Sequence, residues 1–237
     1  MTRLSTAALD IVPADFTVAG ARLVPDITGA LYWPAEKTLV ASDLHLEKGS
    51  WFARHGFVLP PYDTRTTLRR LADPCARRRP RRVVALGDSF HDNDASGRLD
   101  RRDAQLLAQL IEAHDWIWIL GNHDAEPPHG FGGRVETELD LAPLTFRHEP
   151  LGLPVAGEVA GHLHPCAKVA ARGRRLRRRC FVCDGRRLVL PAMGAFAGGL
   201  NVLDTAFRPH IQDDFTVWVL GRERVYPIAP DQLLPDV

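Results

Sequence analysis

Apolar residues along this chain fall into short continuous runs that stop abruptly at polar motifs. Thr38 to Ser42 (TLVAS), Arg82 to Leu86 (RVVAL) and Trp116 to Leu120 (WIWIL) are such runs, β-branched, aliphatic or aromatic throughout. Runs this short and without alternation predict strands buried on both faces. Between them the period becomes helical. Asp63 stands where it can cap a helix carrying Leu68 and Leu71, and Leu99 to His114 sets Leu106, Leu107, Leu110 and Ile111 at helical spacing. Strand, loop, helix, strand is an α/β pattern. Past Val135 the texture changes to shorter strands: Leu144 to Arg147, Glu158 to Gly161, a hairpin around Arg172 to Arg175, Leu188 to Leu190, and Phe215 to Leu220. This half predicts an antiparallel or mixed sheet, so two packed sheets with outer helices are expected.

Composition alters this picture little. With 237 residues, 45% hydrophobic and 25% charged, the chain is long enough to bury a substantial core. No internal repeat or low-complexity linker divides it, so a single domain over residues 1–237 is expected. No run approaches the roughly 18 apolar residues of a membrane span, and the start, Met1 to Ser5, lacks a basic segment followed by an apolar one. A cytoplasmic protein without a membrane partner is the expectation. Cys75, Cys166, Cys180 and Cys183 are too few for a disulfide scaffold and are expected as reduced thiols. Cys180 and Cys183 form a C-x-x-C pair without the second pair a structural zinc site needs, so they read as ordinary strand residues.

Charge is more informative in its placement than in its sum. The net charge is +1, yet RRRPRR at 77–82 and RGRRLRRR at 172–179 hold eleven of the 30 lysines and arginines. The first run reads as a solvated loop. The second follows a histidine motif closely, so its hairpin must start beside that motif, and Arg174, Arg175, Arg177 and Arg178 are candidates for contacting phosphates.

The polar motifs at the strand ends carry the chemistry. Asp43-Leu44-His45 puts a carboxylate and an imidazole at i, i+2, where one ion can be gripped by both. Gly87-Asp88 supplies an acid whose two oxygens can bridge two metals. Gly121-Asn122-His123-Asp124 supplies an amide oxygen, an imidazole and an acid that can hold that imidazole protonated and aimed. His148 ends the strand LTFRH, and Gly161-His162-Leu163-His164 adds two more imidazoles after a strand. Any one of these has a bland reading, since Gly, Asn and Asp populate turns and lone histidines are common at surfaces. The set does not, because independent strand ends would all have to stop at ligand-type residues by accident. Asp43, His45, Asp88, Asn122, His148, His162 and His164 therefore make seven expected ligands for two cations, Asp88 being shared. Without thiolates the donor set suits Mn²⁺, Fe²⁺ or Zn²⁺. Glu47, Lys48 and Arg54 read as a solvated helix face.

The order D-x-H, GD, GNHD, H, GH-x-H, written here as DLH, GD, GNHD, His148 and GHLH, resembles the calcineurin-like metallophosphoesterases. That resemblance implies a four-layer α/β/β/α sandwich of two mixed β-sheets flanked by helices. It implies one metal held by Asp43, His45, Asp88 and His164, a second held by Asp88, Asn122, His148 and His162, and His123 as catalytic histidine with Asp124 beside it. The longer wording SDLHLEKGSWFARHGFVLPPYDTRTTLRRL, GDSFHD and LVLPAMGAFAGGLNV is similar to the bacterial ligase-associated DNA damage response endonucleases. This closer likeness implies a manganese-dependent phosphodiesterase or endonuclease acting on DNA in repair, alongside an ATP-dependent DNA ligase, a helicase and a nuclease-like partner. Metal ligands do not encode a leaving group, so a small diester such as a cyclic nucleotide or nucleotide-sugar is the alternative substrate. A non-catalytic metal-stabilised scaffold for repair proteins is the alternative from another class. No G-x-x-x-x-G-K-[ST] loop is present, which argues against nucleotide hydrolysis of that kind.

Overall fold

The computed structural model describes residues 15–126, 128–152, 155–171 and 173–236. The first half forms one mixed sheet. Strands β1 (Phe16–Val18), β2 (Ala21–Pro25) and β3 (Leu31–Trp33) run as an antiparallel meander into β4 (Thr38–Ser42). From β4 the direction is parallel through β5 (Arg82–Leu86), β6 (Asp115–Ile119) and β7 (Arg134–Glu136). Helices α1 (Lys48–Arg54), α2 (Asp63–Arg78) and α3 (Arg101–Glu112) connect those parallel strands. The three apolar runs are the central strands, buried as expected.

A second, nine-stranded sheet packs on the first. It holds β8 (Glu138–Leu141), β9 (Leu144–Arg147), β10 (Glu158–Ala160), β11 (Pro165–Ala171), β12 (Arg174–Cys183), β13 (Arg187–Val189), β14 (Leu200–Asn201), β15 (Thr216–Leu220) and β16 (Val225–Ile228). Strands β9, β10 and β13 are parallel, and β12 pairs antiparallel with both β11 and β13. One core lies between the sheets, where Leu23, Val40, Leu86 and Ile119 meet Phe146, Phe181 and Leu188. A second lies under α2 and α3, where Leu68, Leu71, Leu107 and Ile111 cover Leu39, Val83 and Trp118. The outer face of the second sheet is covered differently. Among the described residues no α-helix lies there, and Val202, Phe207, Ile211 and Leu233 from loops and 3₁₀ turns close it over Cys180, Val182 and Val217.

The class and the two mixed sheets match expectation, and several details correct it. Asp63 does not cap α2 but is its first residue, with Tyr62 at the cap, and its carboxylate accepts from the Gly49 N–H at 2.8 Å, tying α1 to α2. The cap of α3 is Asp100, which accepts from the N–H groups of Arg102 and Asp103, both at 2.8 Å. The β1–β3 meander was not legible as strands because its runs are only three to five residues long and broken by turns. The four cysteines are free and buried, and Cys180 and Cys183 face different cores, so they serve no common ion. Among the described residues no helix is long and apolar enough to cross a membrane.

Candidate metal centre

Strands β4, β5, β6, β9 and β10 all deliver their carboxyl ends to one place. After β4 and β5 the chains continue side by side: the N–H groups of Asp43 and His45 donate to the carbonyls of Gly87 and Asp88, at 3.2 and 2.9 Å, and Leu46 donates to Ser89 at 2.9 Å. The loop after β13 closes from behind, with Met193 N–H donating to Ser42 and Gly194 N–H to Asp43. Close approach needs glycine here. At Gly87, φ is +73° and a Cβ would stand 2.1 Å from His148 Nδ1; at Gly161 it would stand 1.9 Å from Ser42 Oγ and 2.7 Å from Asp43 Oδ2.

All seven expected ligand residues converge, and they form two groups about Asp88. On one side, ligand atoms of Asp43, His45 and His164 lie within 4.8 Å of one another, with His164 Nε2 3.0 Å from Asp43 Oδ1 and 3.3 Å from His45 Nε2. Asp88 Oδ2 is 3.8 Å from His45 Nε2 on that side. On the other, His148 Nε2 is 3.4 Å from Asp88 Oδ1, 3.0 Å from Asn122 Oδ1 and 3.2 Å from His162 Nδ1. The two oxygens of Asp88 thus face different groups. Asp43, His45, Asp88 and His148 are buried, whereas Asn122 and His123 are exposed at the rim.

Backbone strain marks the same residues. Asp43, His45, Asp88, His162 and His164 have φ of +54°, +43°, +46°, +66° and +46°. Left-handed conformations of residues other than glycine cost about 1–3 kcal/mol each and persist where surrounding structure enforces them, most often at functional sites.

The electrostatics call for a cation. Burial opposes ionisation of Asp43, but its hydrogen bond and charge contact with His164, the His148 charge and the Ser42 hydroxyl hold it below the usual carboxylate range. Burial likewise opposes ionisation of Asp88, and His148 overrides it and lowers that group too. Burial would discharge His148, yet its hydrogen bond to Asp88 and the charges of Asp43 and Asp88 raise it to about 9. A proton therefore stands where the carboxylates demand positive charge. Burial lowers His45 to about 3, leaving a neutral imidazole suited to ligation. His45 Nδ1 is buried without a hydrogen-bond partner, and His148 Nδ1 donates to the Leu86 carbonyl at 3.3 Å, which orients its Nε2. These donors fit divalent metal: carboxylate, imidazole and amide atoms, the ligand types such an ion takes, converge in two clusters.

The calcineurin-like phosphoesterase family model matches residues 36–178, more than half of the chain. The chain belongs to that family. As a calcineurin-like phosphoesterase it is a metal-dependent enzyme. Its structure is similar to that of the Pseudomonas putida nuclease MPE, with 29% identity and a TM-score of 0.70 over 90% of this chain and 98% of that one. Yfce, a phosphoesterase from E. coli, aligns with 18% identity and a TM-score of 0.42 over 81% of this chain and 98% of that one. No curated protein sequence matches.

Other expectations for this phosphoesterase are revised. Asp124 does not pair with His123. Its Oδ2 accepts from Ser89 and Phe90 N–H groups at 2.7 and 3.0 Å and its Oδ1 from Gly121 N–H at 3.1 Å, so it fastens the loops after β5 and β6 together. The His123 ring is instead held by His91, whose carbonyl accepts from His123 Nδ1 at 3.0 Å and whose ring stacks on it at 4.9 Å. His91 lies outside the five motifs; its signal is its place in GDSFHD, three residues after Asp88 on a loop zipped to His45. Glu47 is no solvated residue: its Oε1 accepts from Thr64 Oγ1 at 2.9 Å.

The four candidate arginines do not share a surface. Strand β11 leaves the site at Pro165, and its far end lies roughly 20 Å away at about 3.3 Å per residue. Arg174 and Arg175 pair with Ala171 and Ala170 at that far end. Alternation turns Arg174 and Arg178 to the outer face with Leu176, where they line a groove with Arg222, Arg224 and Tyr226. Arg177 turns to the opposite face and bonds Asp236 Oδ2 at 3.1 Å. The arginine returned nearest the site is Arg179, opposite Cys166, outside the four candidates.

Proposed function

We propose that this phosphoesterase binds two divalent cations, Mn²⁺ foremost, and hydrolyses phosphodiesters of DNA as a repair nuclease. Asp43, His45, Asp88 and His164 would hold one ion, and Asp88, Asn122, His148 and His162 the other. The observation that carries this reading is the division of seven ligand-type residues into two groups facing opposite oxygens of one buried carboxylate, five of the seven in strained backbone. A nucleic-acid substrate is supported by the likeness to a nuclease at 29% identity. A bound pair of divalent ions would supply hydroxide at neutral pH and neutralise phosphoryl oxygens.

The chain's own residues supply the rest. His123 is exposed on the rim, its Nδ1 proton is committed to the His91 carbonyl, and its backbone N–H donates to Asp88 Oδ1 at 2.9 Å. Its Nε2 is thus free to meet a phosphoryl or leaving-group oxygen, a proton-transfer or charge-stabilising role of about 10²–10⁴-fold.

Activity on bis-p-nitrophenyl phosphate with added Mn²⁺, followed by nicking of plasmid DNA beside a panel of small diesters, tests the proposal. Cleavage of DNA in preference to the small diesters is expected. Cleavage of small diesters alone would replace DNA with a small-molecule substrate, and a metal-loaded preparation inert toward all of them would end the proposal. His123→Ala should lower turnover about 10²–10⁴-fold while metal content stays at the wild-type level; loss of metal along with turnover would give His123 a structural role instead.

A further inference from the structure

Beside the metal centre two guanidinium groups converge without an acid. Arg70, on α2, donates to the Met193 carbonyl, and Arg179, on β12, donates to the Ala192 carbonyl at 2.7 Å and reaches the Met193 carbonyl at 3.4 Å. Both side chains are half-buried. Arg65, Arg77, Arg82, Arg98, Arg134, Arg147 and Arg187 each lie within ion-pair distance of a carboxylate, but among the described residues no carboxylate lies within 4.0 Å of Arg70 or Arg179. Burial and then repulsion from Arg70 lower Arg179 to about 10, the direction expected of a cation with no counter-charge.

Placement near the site follows from the backbone. The carbonyl both arginines touch belongs to Met193, whose N–H donates to Ser42, the residue before Asp43. Arg179 is paired across the sheet with Cys166, two residues past His164. A guanidinium carries five donors, and each of these uses only a few on carbonyls. None of their remaining nitrogens is among the fully buried unpaired atoms, so those donors are not sealed off from solvent. Capping two carbonyls needs one arginine. Two, held together against their own repulsion, make a site for an anion with several acceptor oxygens.

We infer that Arg70 and Arg179 form a subsite for a phosphate of the substrate other than the scissile one, so that the enzyme engages a chain of phosphodiesters and not an isolated diester. The inference rests on the phosphodiesterase reading above. Phosphate contacts of this kind position a polynucleotide without reading its bases.

Oligothymidylates of increasing length, with bis-p-nitrophenyl phosphate as the reference lacking any second phosphate, test it on the metal-loaded enzyme. For wild type, kcat/KM relative to the reference should rise once a second phosphate is present and fall with salt. In the Arg70→Met/Arg179→Met variant that gain should drop about tenfold or more, and the logarithmic salt slope should flatten by about 1. The Arg70→Lys/Arg179→Lys variant, which keeps both charges, should retain most of the slope, and Arg70→Met alone, which leaves Arg179 on its carbonyls, should show an intermediate loss. A double Met variant with undiminished length gain and salt slope would overturn the inference, as would a wild type that cleaves only isolated diesters. Wild type inert toward the reference as well would instead overturn the phosphodiesterase reading.

Discussion

The two ends of the parallel strands treat buried charge in opposite ways. At the amino ends each charge has a partner of the other sign. Arg187, fully buried at the start of β13, meets Glu158 at the start of β10 and donates to the Leu151 carbonyl at 2.6 Å, and Arg82 at the start of β5 meets Asp115 at the start of β6 at 2.9 Å. At the carboxyl ends Asp43 and Asp88 are just as buried, and what surrounds them is imidazole and amide. One end is complete within the chain. The other pairs its buried carboxylates with positive charge inside the ligand cluster only when a proton or a metal enters it, and its backbone is strained there. Pairing at the first end serves the fold and the converging donors at the second suit chemistry, so mutations at the two should separate these properties.

The largest effect is expected from Asp88→Ala. Removing the carboxylate that faces both ligand groups should abolish bound metal, measured by atomic emission on the purified protein, and lower Mn²⁺-dependent turnover of bis-p-nitrophenyl phosphate by at least about 10³-fold. A variant that keeps two ions per chain would show that Asp88 is not shared. The fold should survive, because the amino-end pairs are untouched.

Arg187→Met should do the reverse. It leaves the buried Glu158 with Arg147 alone, at 3.1 Å, as counter-charge, for a loss of about 3 kcal/mol in urea unfolding, the low end for a broken buried pair, while turnover per folded molecule stays near wild type. Adding Glu158→Leu should recover most of that loss, since replacing both partners with apolar groups is often close to neutral. No recovery would mean that the hydrogen bonds of Arg187 to the Leu151 and His210 carbonyls, and not its charge, are what matter there.

The difference between the ends also explains what could be read in advance. The convergence of the candidate ligands is legible because metal chemistry restricts residue types and because each follows a strand end, which turns a spacing in sequence into a meeting in space. The central strands were legible because they are buried on both faces and so uninterrupted by polar residues. Relations fixed only by packing were not legible. Adjacent Asp124 and His123 suggested a pair, but left-handed Asp88 and the turn at Gly121 aim Asp124 at backbone N–H groups and leave His123 to His91. The arginine run looked uniform in sequence; the two-residue period of β12 and the length of the hairpin divide it between two faces and two ends.

The smallest expected effect concerns Asp124, which links the two kinds of charge. It sits at the carboxyl ends yet serves as structure, and burial, with the Asp88 charge as a lesser cause, raises it to about 6 against an ordinary value of 3.8, its three backbone donors restraining the rise. The folded chain therefore holds this proton more tightly than the unfolded one. Its contribution is fully present below about pH 4 and is lost as pH rises through about 6, a fall of about 3 kcal/mol for two pKa units. In metal-free protein, the stability difference between wild type and Asp124→Asn should shift by that amount between pH 4 and 7, to the disadvantage of wild type; a flat difference would show that Asp124 is ionised throughout. Added Mn²⁺ should shrink the shift, because offsetting the Asp88 charge removes one of its causes while burial remains. A shift indifferent to Mn²⁺ would leave burial alone responsible and uncouple Asp124 from the charge of the site.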